Sequence, residues 1–103
     1  MEQTFDATIF AKNPDRLLVE IGFAGAQYGL YMPVMAIATH LGVAEKTRCA
    51  SILMLGVLNL SLKNYAGART IFRAVVENPA YSTYHQEASA LLAVVNNISP
   101  IGK

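Results

Sequence analysis

The stretch CASILMLGVLNLSLKNYAGARTIFRAVV, from Cys49 to Val76, contains the pattern that decides the fold. It predicts two antiparallel helices joined by a tight turn at Lys63. The small residues Gly56 and Ala68 would let the two helices approach closely. Larger side chains would fill the space around these contact points: Leu55, Tyr65 and Phe72.

The spacing L-G-x8-Y-x2-A-x3-F in this stretch resembles that of a tetratricopeptide (TPR) hairpin, whose repeat is about 34 residues long. A shift of 34 residues towards the N-terminus aligns Gly22 with Gly56 and Tyr31 with Tyr65. A shift of 34 residues towards the C-terminus aligns Ala90 with Gly56. We therefore expect an all-α, TPR-like helical hairpin array of about two and a half repeats and roughly five main helices. The residues expected to pack the repeats are Gly22, Tyr31, Leu55, Gly56, Tyr65, Ala68, Phe72 and Ala90.

Around this hairpin, the sequence divides into an N-terminal arm (1–12), a TPR-like domain (13–97) and a C-terminal tail (98–103). The arm carries Phe5, Ile9 and Phe10, and a short helix and a partly ordered segment remain equally open for it. Either form would place large apolar side chains where they could dock onto another surface.

Capping and breaking residues set the expected helix bounds. Asn13-Pro14-Asp15 is typical of a helix start, because Asn caps, Pro suits the first turn and Asp faces the positive dipole end. The third helix is apolar around its whole circumference, so we expect it at the centre of the domain. The expected ranges are 14–27, 34–41, 45–62 and 65–76, with a last helix from Ser82 or Thr83 to 96–97.

The composition is unusually apolar for a small domain. Of the 103 residues 53% are hydrophobic and 15% are charged, against about 25% charged in typical domains. This excess predicts apolar surface that a partner covers. The formal net charge of +1 and the scattered basic residues argue against nucleic acid. A single cysteine, an acidic N-terminal stretch and the lack of a long apolar run favour a cytosolic protein without membrane insertion.

The residues that could carry catalysis are few. His40, Cys49 and His85 are the only candidate metal ligands or nucleophile components, and no two of them have metal-ligand spacing. Cys49 is the type of small apolar residue that usually fills a core. We therefore expect no enzyme, no cofactor or metal site and no small-molecule substrate.

In a TPR array the first helix of each repeat lines a concave surface. Carried onto this chain, the TPR pattern assigns fifteen positions to that surface. Five of them are polar or tyrosine: Arg16, Gln27, Ser61, Tyr84 and Glu87. The other ten form the expected partner-binding groove: Val19, Phe23, Ala26, Ala50, Leu53, Val57, Leu60, Leu91, Val94 and Val95.

TPR grooves that bind a terminal carboxylate carry a Lys, Asn and Arg clamp, which is missing here. Its equivalent positions hold Val19, Phe23, Leu53 and Val57. An apolar groove instead suits the apolar face of an amphipathic helix. The alternative is that these side chains pack on one another, on the arm or in a homodimer.

The run LLVEIGFAGAQYGLYMPVMAIATHL, residues 17–41, resembles the first hairpin of small bacterial TPR-like chaperones of the type III secretion needle subunit. The matching residues are Leu17, Leu18, Glu20, Ile21, Gly25, Ile37, Ala38 and Leu41. The resemblance implies a bacterial cytoplasmic protein that grips the apolar C-terminal helix of a self-polymerising needle subunit before export. It also implies a 1:1:1 complex with a second small helical cochaperone. The alternatives are a TPR scaffold or assembly protein without cargo, and a chaperone of a secreted translocator.

Overall fold

The computed structural model describes residues 14–100 of the chain. The interpretations made for the arm at 1–12, for the cap at Asn13 and for the end of the tail lie outside this range. The described elements are the α-helices α1 (Pro14–Gln27), α2 (Tyr31–Leu41), α3 (Glu45–Ser61), α4 (Tyr65–Glu77) and α5 (His85–Ile98), with a 3-10 helix (Pro79–Tyr84) before α5. Residues 14–100 contain no strand, and the prediction of an all-α helical hairpin array is confirmed.

Two predicted helix starts are wrong. Helix α2 begins at Tyr31 rather than Val34, because Pro33 lies in the first turn, where a backbone N–H has no helical acceptor anyway. The last helix begins at His85. Before it, the Asn78 side chain accepts a hydrogen bond from the Ala80 N–H at 2.9 Å and starts the separate 3-10 turn.

The 34-residue repeat is visible in the backbone of the two hairpin turns. Gly29 after α1 has φ 69° and Lys63 after α3 has φ 64°, so both adopt the left-handed conformation. Each turn also has the same hydrogen bond from the following residue, Leu30 N–H to Gly25 O at 3.0 Å and Asn64 N–H to Asn59 O at 2.8 Å. This is the Schellman motif, which gives the last carbonyls of a helix a donor. The two hairpins therefore turn in the same way.

Neighbouring helices along the chain pack on each other, and α3 lies at the centre. It contacts α1 and α2 on one side, and α4 and the 3-10 helix on the other. Its buried residues contribute to two core clusters. The first cluster joins α1, α2 and α3: Ala26, Val34, Ala38, Leu41, Met54 and Leu58. The second joins α3, α4 and α5: Cys49, Leu53, Ala68, Phe72, Val75, Ala88 and Val95. These contacts agree with the prediction of a central third helix.

Gly56 is the point at which α3 and α4 come closest. A Cβ built there would lie 2.5 Å from Phe72 Cε1 and 2.9 Å from Ile71 Cγ2. Gly22 has the equivalent place between α1 and α3, where a Cβ would overlap the end of the Met54 side chain. The expectation that small residues allow this close packing holds at both positions.

Two of the residues expected to pack the repeats do not do so. Tyr31 is 53% exposed, whereas Tyr65, its equivalent, packs against the second core cluster. Ala90 is exposed. The described chain has no helix after α5 to cover this alanine, so the packing role of the small position is lost in the third repeat.

Candidate functional site

A cleft of about 430 Å³ opens on the concave surface formed by α1, α3 and the start of α5. All nine residues that line it belong to the fifteen positions expected on that surface. They are Phe23, Gln27, Leu53, Val57, Leu60, Ser61, Tyr84, Glu87 and Leu91. The register of the repeats therefore places the cleft where the sequence pattern predicted a groove.

Helical spacing brings these side chains to one face of each helix. On α1, Phe23 and Gln27 are four residues apart, and on α3 the lining residues Leu53, Val57 and Leu60 follow the same three-to-four-residue period. Leu91 lies four residues after Glu87 on α5. The lining residues of the three helices meet in a single cleft.

Three of the predicted groove residues are core residues instead. Ala26 and Val95 have no exposed surface and Ala50 is 4% exposed, so the prediction that they contact a partner is wrong. Ala26 packs in the first core cluster and Val95 in the second.

Two other predicted groove residues lie near the cleft but do not line it. Val94 is 45% exposed and lies outside the cleft lining. Val19 lines two neighbouring depressions instead. Leu53 lines the cleft although it is only 3% exposed, because it forms part of the cleft floor.

The polar groups of the cleft are few, and none of them is basic. The Ser61 hydroxyl donates to the Gln27 carbonyl oxygen at 3.2 Å, so this part of the lining is already paired. The Glu87 carboxylate lies in the first turn of α5, where it also suits the helix dipole. Because no lysine or arginine lines the cleft, it has no group that would hold a terminal carboxylate.

An aromatic contact crosses the concave surface. The ring centroids of Phe23 on α1 and Tyr84 at the start of α5 are 6.4 Å apart, with the planes tilted by 47°. Burial, together with the nearby Cys49 and Glu87, raises the pKa of the Tyr84 hydroxyl. The phenol is therefore neutral near pH 7, and its ring can bound an apolar cleft.

Beyond Tyr84, the concave surface becomes charged. A second depression, of about 490 Å³, is lined by Asp15, Arg16, Glu20 and Lys46 together with Tyr84. Arg16 Nε and Glu20 Oε2 are 3.7 Å apart on the exposed side of α1. The concave surface thus combines an apolar cleft with a polar region that carries charges of both signs.

The chain was compared with protein-family models, with curated proteins and with solved structures. None of the three comparisons gives a match.

A second apolar surface lies outside the groove, on the outer face of the α1–α2 hairpin. Its exposed side chains are Ile21, Tyr28, Leu30, Tyr31 and Met32, and we refer to these five residues as the outer face. Tyr28 is 81% and Met32 73% exposed. The excess of apolar residues in the composition indicated that such a surface exists, but no periodic signal located it, because the exposed residues cluster around a turn.

The candidate catalytic residues are dispersed. In residues 14–100 no three His, Cys, Asp or Glu side chains are placed to hold a metal ion. Cys49 is 8% exposed, and burial raises the pKa of its thiol. His85 Nε2 lies 2.8 Å from the Asn78 carbonyl oxygen, and His40 Nε2 lies 3.9 Å from Asp15 Oδ1. Within the same residues, no helix is both long enough and apolar enough to span a bilayer.

Proposed function

We propose that this protein is a bacterial cytoplasmic chaperone that binds an amphipathic helix of a self-polymerising type III secretion needle subunit. The helix lies with its apolar face in the concave cleft, and the chaperone keeps the subunit soluble and unpolymerised before export. The observation that carries the proposal is the cleft itself, since nine concave-surface positions from α1, α3, α5 and the 3-10 helix line one opening with no basic residue. The secretion role comes from the resemblance of residues 17–41 to the needle-chaperone family.

The chemistry of the cleft favours a helix over other peptide ligands. Its apolar floor and half-buried walls would receive side chains that repeat every three to four residues. Leu53, Val57 and Leu60 run along the floor on α3, and Leu91 faces them from α5. No lysine or arginine among these residues could pair with a terminal carboxylate. The cleft is lined by helices, so it offers no sheet edge with which an extended strand could form hydrogen bonds.

The expected affinity follows from the size of the cleft. Burying about three partner side chains contributes roughly 1.5–3 kcal/mol each, or about 5–9 kcal/mol before ordering costs. That range corresponds to micromolar binding at most. Holding the subunit by mass action would then need either a high chaperone concentration or additional contacts.

The outer face supplies those additional contacts in this proposal. A second small helical protein covers Tyr28, Leu30 and Met32, and completes a 1:1:1 complex. Exposed apolar surface of this kind is typical of a protein that functions in a complex. The proposed role is non-enzymatic and needs no cofactor, metal or nucleic acid.

The test is co-expression with the small helical proteins encoded beside this chain, followed by size-exclusion chromatography with mass determination. We expect a 1:1:1 complex that contains a needle-like subunit. Leu91→Glu should remove the subunit from the complex, because it places an unpaired carboxylate in the apolar wall of the cleft. Val43→Glu is the matched control, since Val43 is 78% exposed in the α2–α3 connection and lies outside the cleft.

Circular dichroism of both variants separates loss of binding from loss of fold. A chain that elutes alone, as a monomer or a homodimer, in the presence of its neighbours would refute the chaperone proposal. That outcome would instead support the scaffold alternative, in which the concave side chains serve only to pack the array.

A further inference from the structure

The aromatic contact between Phe23 and Tyr84 joins the first and third segments of the array across its concave surface. The two residues are 61 positions apart in the chain, and α3 lies between the helices that carry them. Residues of the intervening α3 are closely covered, since Ala50 is 4% and Leu53 3% exposed. The Phe23–Tyr84 contact thus links the first and third segments of the array across the concave surface.

Tyr84 borders three depressions. It lines the apolar cleft, the charged depression and a third depression of about 460 Å³ beside Cys49 and Ala50. Of these three depressions, Phe23 lines only the apolar cleft. The Tyr84 ring thus lies between the cleft and the two depressions, with Phe23 on its apolar side.

The chemistry changes from one side of this ring to the other. On the cleft side the lining is apolar and includes Val57, Leu60 and Leu91. On the opposite side, Asp15, Glu20 and Lys46 line the charged depression. An apolar side chain that crossed the Tyr84 ring would leave an apolar wall and lie against charged groups.

We infer that Tyr84, supported by Phe23, is the end wall of the helix-binding cleft and limits the apolar stripe that a bound helix can present. This inference rests on the proposed function and adds the sequence pattern of the partner. The bound helix has a short apolar stripe, and the next turn towards the charged depression carries polar residues.

The extent of the cleft along α3 sets the length of the stripe. The lining residues Leu53 to Leu60 cover about two helical turns of α3, or about 10 Å. Side chains at i, i+3 or i+4, and i+7 fill two helical turns. A partner helix with four apolar turns would therefore present about twice what the cleft accepts.

The experiment uses two synthetic amphipathic peptides of equal length and net charge. One carries leucines over two turns and the other over four turns, and affinities for the full chain are measured by fluorescence anisotropy of labelled peptide. We expect the wild-type protein to bind both within about threefold of each other. If the peptide with four apolar turns binds the wild-type protein more than about tenfold tighter than the two-turn peptide, the inference that Tyr84 is an end wall is refuted.

Substitution of the wall then tests the residue itself. Tyr84→Ala should join the cleft to the neighbouring depressions and make the four-turn peptide bind at least about tenfold tighter than the two-turn peptide. Tyr84→Phe should behave as wild type, because it keeps the ring. Val43→Ala in the exposed α2–α3 connection is the matched control and should leave both affinities unchanged. If Tyr84→Ala does not fold, Phe23→Leu removes the supporting ring and should shift the preference in the same direction.

The outcomes separate this inference from the proposed function. An unchanged ratio of the two affinities in folded Tyr84→Ala and Phe23→Leu would refute the end wall while leaving helix binding intact. If neither peptide binds the wild-type protein even at several hundred micromolar, helix binding in the cleft is itself refuted, and the end wall with it.

Discussion

Close packing of two helices depends on single positions where a side chain has no room. Gly56 on α3 is such a position, because the Phe72 ring that it faces is fully buried and cannot move into solvent. Gly25 on α1 is less confined, since an added Cβ would lie 3.1 Å from the tip of Val34 and 3.9 Å from Leu30 Cβ. The two glycines therefore provide a matched pair.

Gly56→Ala should lower the free energy of unfolding. Overpacking costs about 1–3 kcal/mol, and the better helix propensity of alanine returns at most ~1 kcal/mol. We expect a net loss of about 1–2 kcal/mol, or a fall in Tm of roughly 4–16 °C for a domain of this size. Gly25→Ala should stay within about 1 kcal/mol of wild type. Equal melting temperatures for wild type and Gly56→Ala, measured by circular dichroism, would contradict the packing described for this hairpin.

The Cys49 thiol tests burial at the same scale. Its Sγ lies 3.9 Å from the Tyr81 carbonyl oxygen, and burial raises its pKa above the ordinary value of 9.0. The folded state therefore favours the neutral thiol. This contribution to stability is complete below pH 9 and is lost as the pH rises from there towards the folded-state pKa.

We expect Cys49 in the native protein to react with a thiol reagent such as DTNB at pH 8 at least about tenfold more slowly than in the urea-unfolded chain. Stability measured by urea unfolding should fall above about pH 9, and Cys49→Ala should reduce that fall. Labelling at the unfolded rate under native conditions would show that the thiol is accessible.

Predictability from sequence differs among single residues for a physical reason. Gly56, Ala68 and Phe72 were predicted correctly, because both helices of their hairpin are contained in one continuous pattern. Ala90 and Tyr31 have the same spacing but lie exposed. A residue at a packing position becomes buried only when a neighbouring helix covers it, and the pattern of a single helix does not contain that information.

At the scale of the elements, the two hairpin turns share one backbone conformation and differ in the residue that adopts it. Gly29 has no Cβ and suits the left-handed region, whereas Lys63 has φ 64° with a full side chain. The lysine is kept there because the Schellman hydrogen bonds of the turn hold its backbone.

Lys63→Gly should raise the free energy of unfolding by up to about 1 kcal/mol, because glycine adopts the left-handed conformation without steric strain. The greater conformational entropy of glycine in the unfolded chain offsets part of this gain. Gly29→Ala should lower it by about 1 kcal/mol or more, since an added Cβ would also lie 3.2 Å from Leu62 Cδ2. Urea unfolding of the two variants measures both values. Changes of the same sign would contradict the equivalence of the two turns.

The start of the last helix could not be predicted from its sequence. The residues from Ser82 onwards have helical spacing, but the chain forms a 3-10 turn as far as Tyr84, with Tyr81 at φ −106° and ψ 26°. The Asn78 cap and the contacts of this turn with α3, α4 and α5 determine its geometry. The same turn places Tyr84 against Phe23, so periodicity could not predict this aromatic contact across the concave surface either.

At the scale of the whole molecule, one small chain presents two apolar surfaces built from different residues. The cleft is built from α1, α3 and α5, while the outer face is confined to α1, α2 and the turn that joins them. Of these, the sequence predicted the cleft through its repeat register but located no outer face. A complex of three proteins needs two such separate surfaces on its central member.

Separate surfaces predict separate losses of binding. In the co-expressed complex, Met32→Glu should release the second helical protein, because it places a charge in an otherwise uncharged apolar contact. The needle-like subunit should remain bound to this variant. Leu91→Glu should release the needle-like subunit and keep the second helical protein. Met32 is 73% exposed, so its substitution should not alter the folded chain, and circular dichroism checks this in each variant.

The reciprocal pattern is the informative result, because a merely destabilised protein would lose both partners together. Mass determination of each purified variant complex measures which partner remains. If Met32→Glu also releases the needle-like subunit while the helical signal stays intact, the two partners bind cooperatively. The description of two independent surfaces would then be wrong, even though the three-protein complex itself exists.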